Sequence, residues 1–265
     1  MKRIIYRILS LVIAAVFVLP VLSACGKDEK PEITSDNTTA SSKVSEVVTT
    51  SPDKDPPVED DYTLEGEVFV FLGSSVTYGS ANGGVSFVEY IAERNNCTCT
   101  KYAISGTTLV DNGDSSYVQR LKTVAARRSK ECDHFICQLS TNDATQNKPL
   151  GVISDSYDIK SFDTSTITGA MEYIIAFAKE KWDCPVSFYT NPPYNSAAYK
   201  KMVDRLYELQ EKWDIGILDF WNDPDSKLTN SQKNKYMSDS IHPTAAGYLE
   251  WWTPKFEEFL LTHHR

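Results

Sequence analysis

The chain has 265 residues, room for one α/β domain plus extensions, and its 41% hydrophobic content lets it bury a sizeable core. A formal charge of −9 provides no basic stripe to neutralise phosphates, which argues against sequence-independent nucleic-acid binding. The acidity itself says nothing about substrate.

In chain order, Lys2, Arg3 and Arg7 precede an apolar run from Ile8 to Leu22, and Leu22 Ser23 Ala24 supply small residues before Cys25. This resembles a bacterial lipoprotein signal with its lipobox. It implies export, cleavage before Cys25, lipid attachment to that cysteine, and residence on the extracytoplasmic face of the cell membrane. The run is short for a membrane span, which needs about 20 apolar residues. From Gly26 to Asp61 the chain is rich in Ser, Thr, Asp, Lys and Pro with nothing periodic to bury, the composition of a disordered tether. The expected division is therefore a signal peptide over 1–24, the lipidated Cys25 and tether over 25–61, and a globular domain over 62–265.

From Tyr62 onward, apolar runs of strand length alternate with helical periodicity. The first strand is expected over Glu67 to Leu72, then a helix over Val85 to Arg94 burying Val85, Val88, Ile91 and Ala92. A second strand spans Thr98 to Ile104 and stops at Ser105 Gly106; a helix follows from Ser115 to Arg128, capped by Asp114 or Ser115. The third strand, Asp133 to Leu139, ends at Ser140 Thr141 Asn142 Asp143. The polar stretch Ala144 to Thr164 has no period and reads as a lid over the site, since loops of this length are seldom neutral connectors. Then come a helix over Ser165 to Trp182, a strand over Val186 to Thr190 closed by Asn191 Pro192 Pro193, and a helix over Ser196 to Trp213. A strand over Ile215 to Phe220 and a last helix over Thr244 to Leu261, opened by Pro243, complete the chain. Five strands alternating with helices predict a parallel, doubly wound sheet. Ser75, Gly106, Asn142 and Asn191 should then share the rim at the strands' carboxyl ends.

Besides Cys25 there are five cysteines. Cys97-x-Cys99 has no second Cys or His pair at zinc spacing, so it is not read as a metal site. Cys137 falls inside a core strand. Cys132 and Cys184 precede strands that should be neighbours, and a disulfide between them is expected.

Chemistry concentrates on few positions. Gly73 Ser74 Ser75 follows a buried strand and puts a hydroxyl at the sheet edge, with Ser75 the candidate nucleophile. A serine needs a base, and His suits that work near neutral pH. Of four histidines, His263 and His264 are terminal and His134 opens the third strand at the opposite edge, which leaves His242. Asp239, three residues before it, can hold the imidazole's tautomer. Oxyanion donors would be the backbone amides of Ser75 and Gly106 and the side-chain amide of Asn142.

In this order the blocks resemble those of the SGNH hydrolases, also called GDSL-type esterases and lipases. Gly73 Ser74 Ser75 is similar to the Gly-Asp-Ser block, Gly106 falls at the oxyanion glycine, Ser140 Thr141 Asn142 Asp143 matches Gly-x-Asn-Asp, and Asp239 to His242 matches Asp-x-x-His. The resemblance implies a flavodoxin-like three-layer α/β/α sandwich, no metal or other cofactor, and ester hydrolysis through an acyl-serine. Two positions depart from the pattern: Ser74 stands for the usual Asp and Ser140 for the usual Gly. The membrane anchor points to cell-envelope or imported glycans, so the expected substrate is an acetyl ester on carbohydrate. The alternatives are a non-catalytic glycan-binding lipoprotein on the same scaffold and an O-acetyltransferase.

Overall fold

The computed structural model describes residues 62–264. The expected signal peptide, the lipidation site Cys25 and the tether lie outside the described residues. The chain runs β1 (Val68–Gly73), α1 (Ser75–Tyr78), α2 (Phe87–Asn95), β2 (Thr98–Ala103), α3 (Tyr117–Arg120), α4 (Ala126–Arg128), β3 (His134–Gln138), α5 (Thr141–Thr145), α6 (Ile167–Trp182), β4 (Val186–Tyr189), α7 (Ala197–Trp213), β5 (Gly216–Leu218), α8 (Asn230–Tyr236) and α9 (Thr253–Thr262).

All five strands are parallel, in the order β2-β1-β3-β4-β5. The connections after β1 and β3 leave in opposite directions, which places the crevice of this doubly wound sheet at the carboxyl ends of those two neighbouring strands. Alternation along β1 splits its side chains between two cores. Val70 and Leu72 join α3, α6 and α7 on one face, while Phe69 and Phe71 join α2 and α9 on the other. On the second face Phe87 stacks on Phe256 with ring centroids 3.9 Å apart, and truncating such a buried ring costs about 3–5 kcal/mol.

Element ends are set by local hydrogen bonding. The α2 start is a capping box: the Ser86 side chain accepts from the backbone of Val88 and its N–H donates to Glu89 at 2.8 Å. Helix α2 therefore begins later than periodicity predicts, and Val85, expected on its buried face, is exposed. The helix expected over Ser115 to Arg128 is capped by Ser116 and passes through a π-helical stretch, Leu121–Ala125, between α3 and α4. A second π stretch, Gly247–Trp252, precedes α9, and Pro243 pairs with Met237 in an isolated antiparallel bridge instead of opening that helix. Edge strand β5 is shorter than its apolar run. The short helices α1, α5 and α8 have no apolar period to announce them.

The stretch expected to be a lid is a strap. Lys212 donates to the carbonyls of Ser154 and Ser156 at 2.6 and 2.7 Å and pairs with Glu172, and Arg205 donates to the carbonyl of Gly151 at 2.9 Å. Leu150, Ile153, Ile159 and Phe162 pack against the core beneath it. Cys132 and Cys184 do neighbour each other, with sulfurs 3.8 Å apart, but both are free thiols, as are Cys97, Cys99 and Cys137.

Candidate active site

The turn out of β1 is built for close approach. A Cβ on Gly73 would lie 1.7 Å from Thr77 Oγ1 and 2.9 Å from Gln138 Oε1, so only glycine fits where the strand bends into α1. Ser74 then points inward, fully buried: its N–H donates to Gln138 Oε1 at 2.8 Å and its hydroxyl to the same oxygen at 3.3 Å. The Thr77 hydroxyl also donates to that oxygen at 2.8 Å, so one glutamine side chain on β3 pins both ends of the turn. Ser75 opens α1, where its backbone N–H has no carbonyl of the helix to bond and stays free to serve a ligand.

His242 arrives on a turn folded by its own partner. Asp239 Oδ1 accepts the backbone N–H groups of Ile241 at 2.7 Å and His242 at 2.8 Å, while its Oδ2 accepts the ring Nδ1–H at 2.8 Å. A carboxylate can only accept, so the ring proton sits on Nδ1 and the Nε2 lone pair faces Ser75 Oγ, 2.8 Å away. Partial burial pushes the Asp239 carboxyl up, yet the hydrogen bonds from the His242 ring and the two amides outweigh it and hold the group below the usual carboxylate range. From beneath, Asn191 Nδ2 donates to the Ile241 carbonyl at 3.0 Å and fixes the turn to the end of β4.

Gly106, after β2, has φ +80°, a left-handed conformation that glycine adopts without strain. Asn142 stands on α5 after β3; one N–H of its side-chain amide donates to the Thr107 carbonyl at 2.9 Å, and the second remains for a ligand. Since β1 lies between β2 and β3, these two groups flank Ser75. Ser140 uses its hydroxyl to cap α5 by accepting from the amides of Asn142 and Asp143. Asp143 is buried, which pushes its carboxyl up; opposing that, it accepts from Ser140 and from the amides of Leu109 at 2.7 Å and Val110 at 3.1 Å. It thereby anchors the loop that carries Gly106.

The second support of that loop is Arg120. It is 4% exposed, and its guanidinium donates to Gly73 O at 2.7 Å, Thr107 Oγ1 at 2.9 Å and Ser115 O at 2.8 Å. In the sequence it is one more charged residue in an amphipathic segment, and no spacing singles it out. Gln138 did leave a signal, a polar residue inside an apolar strand. His134, by contrast, is buried at the far edge, bonded through Nε2 to Ser187 at 2.7 Å. Among the described residues no group of three or more His, Cys, Asp or Glu could hold a metal ion.

The structure thus joins Ser75, His242 and Asp239 in one hydrogen-bonded chain, with Gly106 and Asn142 on either side. No curated protein sequence matches the chain significantly. Solved structures share its fold: a protein from Lactobacillus plantarum at 19% identity, covering 75% of this chain and 98% of that one with a TM-score of 0.63; a protein described as a GDSL-like lipase from Bacteroides ovatus at 15% identity, covering 75% and 99%, TM-score 0.55; and one described as a lipolytic protein of the G-D-S-L family from Desulfitobacterium hafniense at 14% identity, covering 74% and 100%, TM-score 0.55. The model of the GDSL-like lipase/acylhydrolase family matches residues 71–249, which hold every one of these site residues. The chain belongs to that family and is an ester hydrolase of the SGNH type.

Proposed function

We propose that the protein is a lipid-anchored, extracytoplasmic serine esterase that removes O-acetyl groups from carbohydrate. The observation that carries the chemistry is the relay of two 2.8 Å hydrogen bonds from Ser75 through His242 to Asp239. His242 Nε2 takes the Ser75 proton as Oγ attacks the ester carbonyl carbon. Negative charge then develops on the carbonyl oxygen, and the amides of Ser75, Gly106 and Asn142 receive it. His242, now protonated and paired with Asp239, gives its proton to the leaving alcohol as the carbon–oxygen bond breaks. Water, deprotonated by the same imidazole, then attacks the acyl-serine; as the acyl–oxygen bond breaks, His242 returns that proton to Ser75 Oγ and the acid is released. No metal or cofactor takes part in this sequence.

The lipoprotein-like signal that ends at Cys25 supports placing the enzyme at the cell envelope, with O-acetylated glycans as its substrates. A short acyl group suits a site whose long neighbouring stretch is strapped down on α6 and α7 rather than free to cover a lipid chain. The test is a fluorophosphonate probe applied to the full chain, followed by an ester panel. Labelling of the wild type, its loss in Ser75→Ala, and a fall of at least about 10³-fold in kcat are expected. Full turnover in Ser75→Ala would overturn the mechanism. Metabolic labelling with a fatty acid, lost in Cys25→Ser, tests the anchor separately.

A further inference from the structure

A cleft of about 620 Å³ opens beside the relay, and none of the acyl-transfer groups lines it except Asp239. One wall is the loop after β4, with Pro193, Tyr194 and Asn195; the other comes from the segment between β5 and His242, with Asn234 and Ser238 leading to Asp239. Its position along the rim has a chemical meaning. The oxyanion groups stand after β2 and β3, so the carbonyl oxygen of the ester points toward that end. His242 must deliver its proton to the leaving oxygen, so the alcohol half lies on the imidazole side, toward β4 and β5.

The lining indicates what that alcohol is. Tyr194 is set edge-on against Trp221, with centroids 5.6 Å apart and planes at 87°, and is tilted 45° to Tyr199 at 5.2 Å, so its ring is a fixed plane. Pro193 beside it adds a second rigid apolar surface with little entropy to lose on binding. Beside these flat faces the cleft is amphipathic: Leu228 and Met237 extend the apolar surface, and the exposed amides of Asn195 and Asn234 and the Lys233 ammonium supply polar groups. A sugar presents the complementary pair, C–H faces for the rings and hydroxyls for the amides. A cleft of this volume lies in the range of small-molecule sites.

We propose that this cleft is the subsite for the alcohol half of the substrate and that it takes a sugar unit, stacked on Tyr194 and hydrogen-bonded by Asn195 and Asn234; the inference rests on the esterase reading of Ser75. The experiment compares two acetyl esters on the full chain: ethyl acetate, whose alcohol is too small to reach the cleft, and partly O-acetylated cello-oligosaccharides. The wild type should have the higher kcat/KM on the oligosaccharide. Tyr194→Ala and Asn234→Ala should each lower the ratio of oligosaccharide to ethyl acetate kcat/KM by about 10-fold or more, through KM rather than kcat, and Tyr194→Phe should keep it. Asn234 is exposed on α8, so its truncation keeps the test alive if Tyr194→Ala fails to fold. The unacetylated oligosaccharide should inhibit oligosaccharide ester hydrolysis in the wild type and less so in Asn234→Ala. An unchanged ratio in both truncations, or no preference for the oligosaccharide in the wild type, would overturn the subsite while leaving the esterase reading intact. Ethyl acetate turnover that is equal in wild type and Ser75→Ala would overturn both.

Discussion

Arg120 donates through Nη2 to the carbonyl of Gly73, 2.7 Å away, so a buried cation braces the last residue of β1 directly ahead of the Ser75 turn. Its other nitrogen holds Thr107, whose carbonyl in turn receives the Asn142 amide. One guanidinium therefore ties the β1 turn to the loop carrying Gly106, and burial is offset by three oxygen acceptors rather than by a carboxylate. Lysine cannot replicate this, since it lacks the planar fork. Arg120→Lys and Arg120→Met should lower kcat by about 10-fold or more with a smaller change in KM, because an oxyanion donor moved by a fraction of an ångström loses strength steeply. Arg120→Met should also destabilise the fold by about 1–3 kcal/mol, the cost of leaving a buried acceptor unpaired, measurable by urea unfolding.

Asp239 performs two tasks, folding the His242 turn and orienting the ring. Asp239→Asn keeps the shape but replaces an acceptor with an amide that can present a donor to Nδ1, favouring the wrong tautomer. A fall in kcat of about two orders of magnitude or more is expected. The carboxyl titrates below its unfolded value, so the stability it contributes is present above the ordinary carboxylate pKa of about 4 and is lost as pH falls through the lower folded value. The urea midpoints of wild type and Asp239→Asn should therefore differ at neutral pH and converge in acid below that range.

His134 gives the opposite residue type with the same direction. Burial, reinforced by His263 and His264, pushes its pKa down to about 3. The unfolded chain binds this proton at about pH 6.5 while the folded chain refuses it, so stability falls as pH drops from about 6.5 toward 3. His134→Gln retains a partner for Ser187 and removes the titration. Its denaturation midpoint should be flatter than wild type across that window, and activity at neutral pH should be preserved because the residue sits at the far edge of the sheet.

Gly73→Ala tests the turn itself. The added methyl meets the Thr77 side chain and the oxygen of Gln138, neither of which can swing away without breaking the network that holds Ser74. Overpacking of this kind costs about 1–3 kcal/mol and should displace Ser75 from His242. Loss of fluorophosphonate labelling in a folded Gly73→Ala protein is the expected readout; wild-type labelling rates would show that the turn tolerates the methyl.

How much of this was legible in advance differs by element. Strands β1 to β4 and helices α6 and α7 stand where runs and periods put them, since their apolar faces must be buried whatever the topology. The candidate relay was legible too, because Ser75, Asp239 and His242 belong to short blocks whose residue types are restricted by the chemistry they would perform. Helices α1, α5 and α8 were not: α1 is held by the bonds of Thr77 to Gln138 and Tyr189, distant in sequence, and α5 and α8 are short turns started by the caps Ser140 and Thr229. Ala144 to Thr164 looked like a lid because its anchors, Lys212 and Arg205, lie on a later helix. Ser74 illustrates the division: its hydroxyl and that of Ser75 are alike in the sequence, and only the tertiary packing of Gln138 from β3 turns one inward and leaves the other facing His242. Local residue pattern settles which residue types reach the rim. Which atoms meet there is settled by long-range packing, through buried polar groups such as Arg120, Gln138 and Asn191, whose partners lie at large sequence separations that no local pattern names.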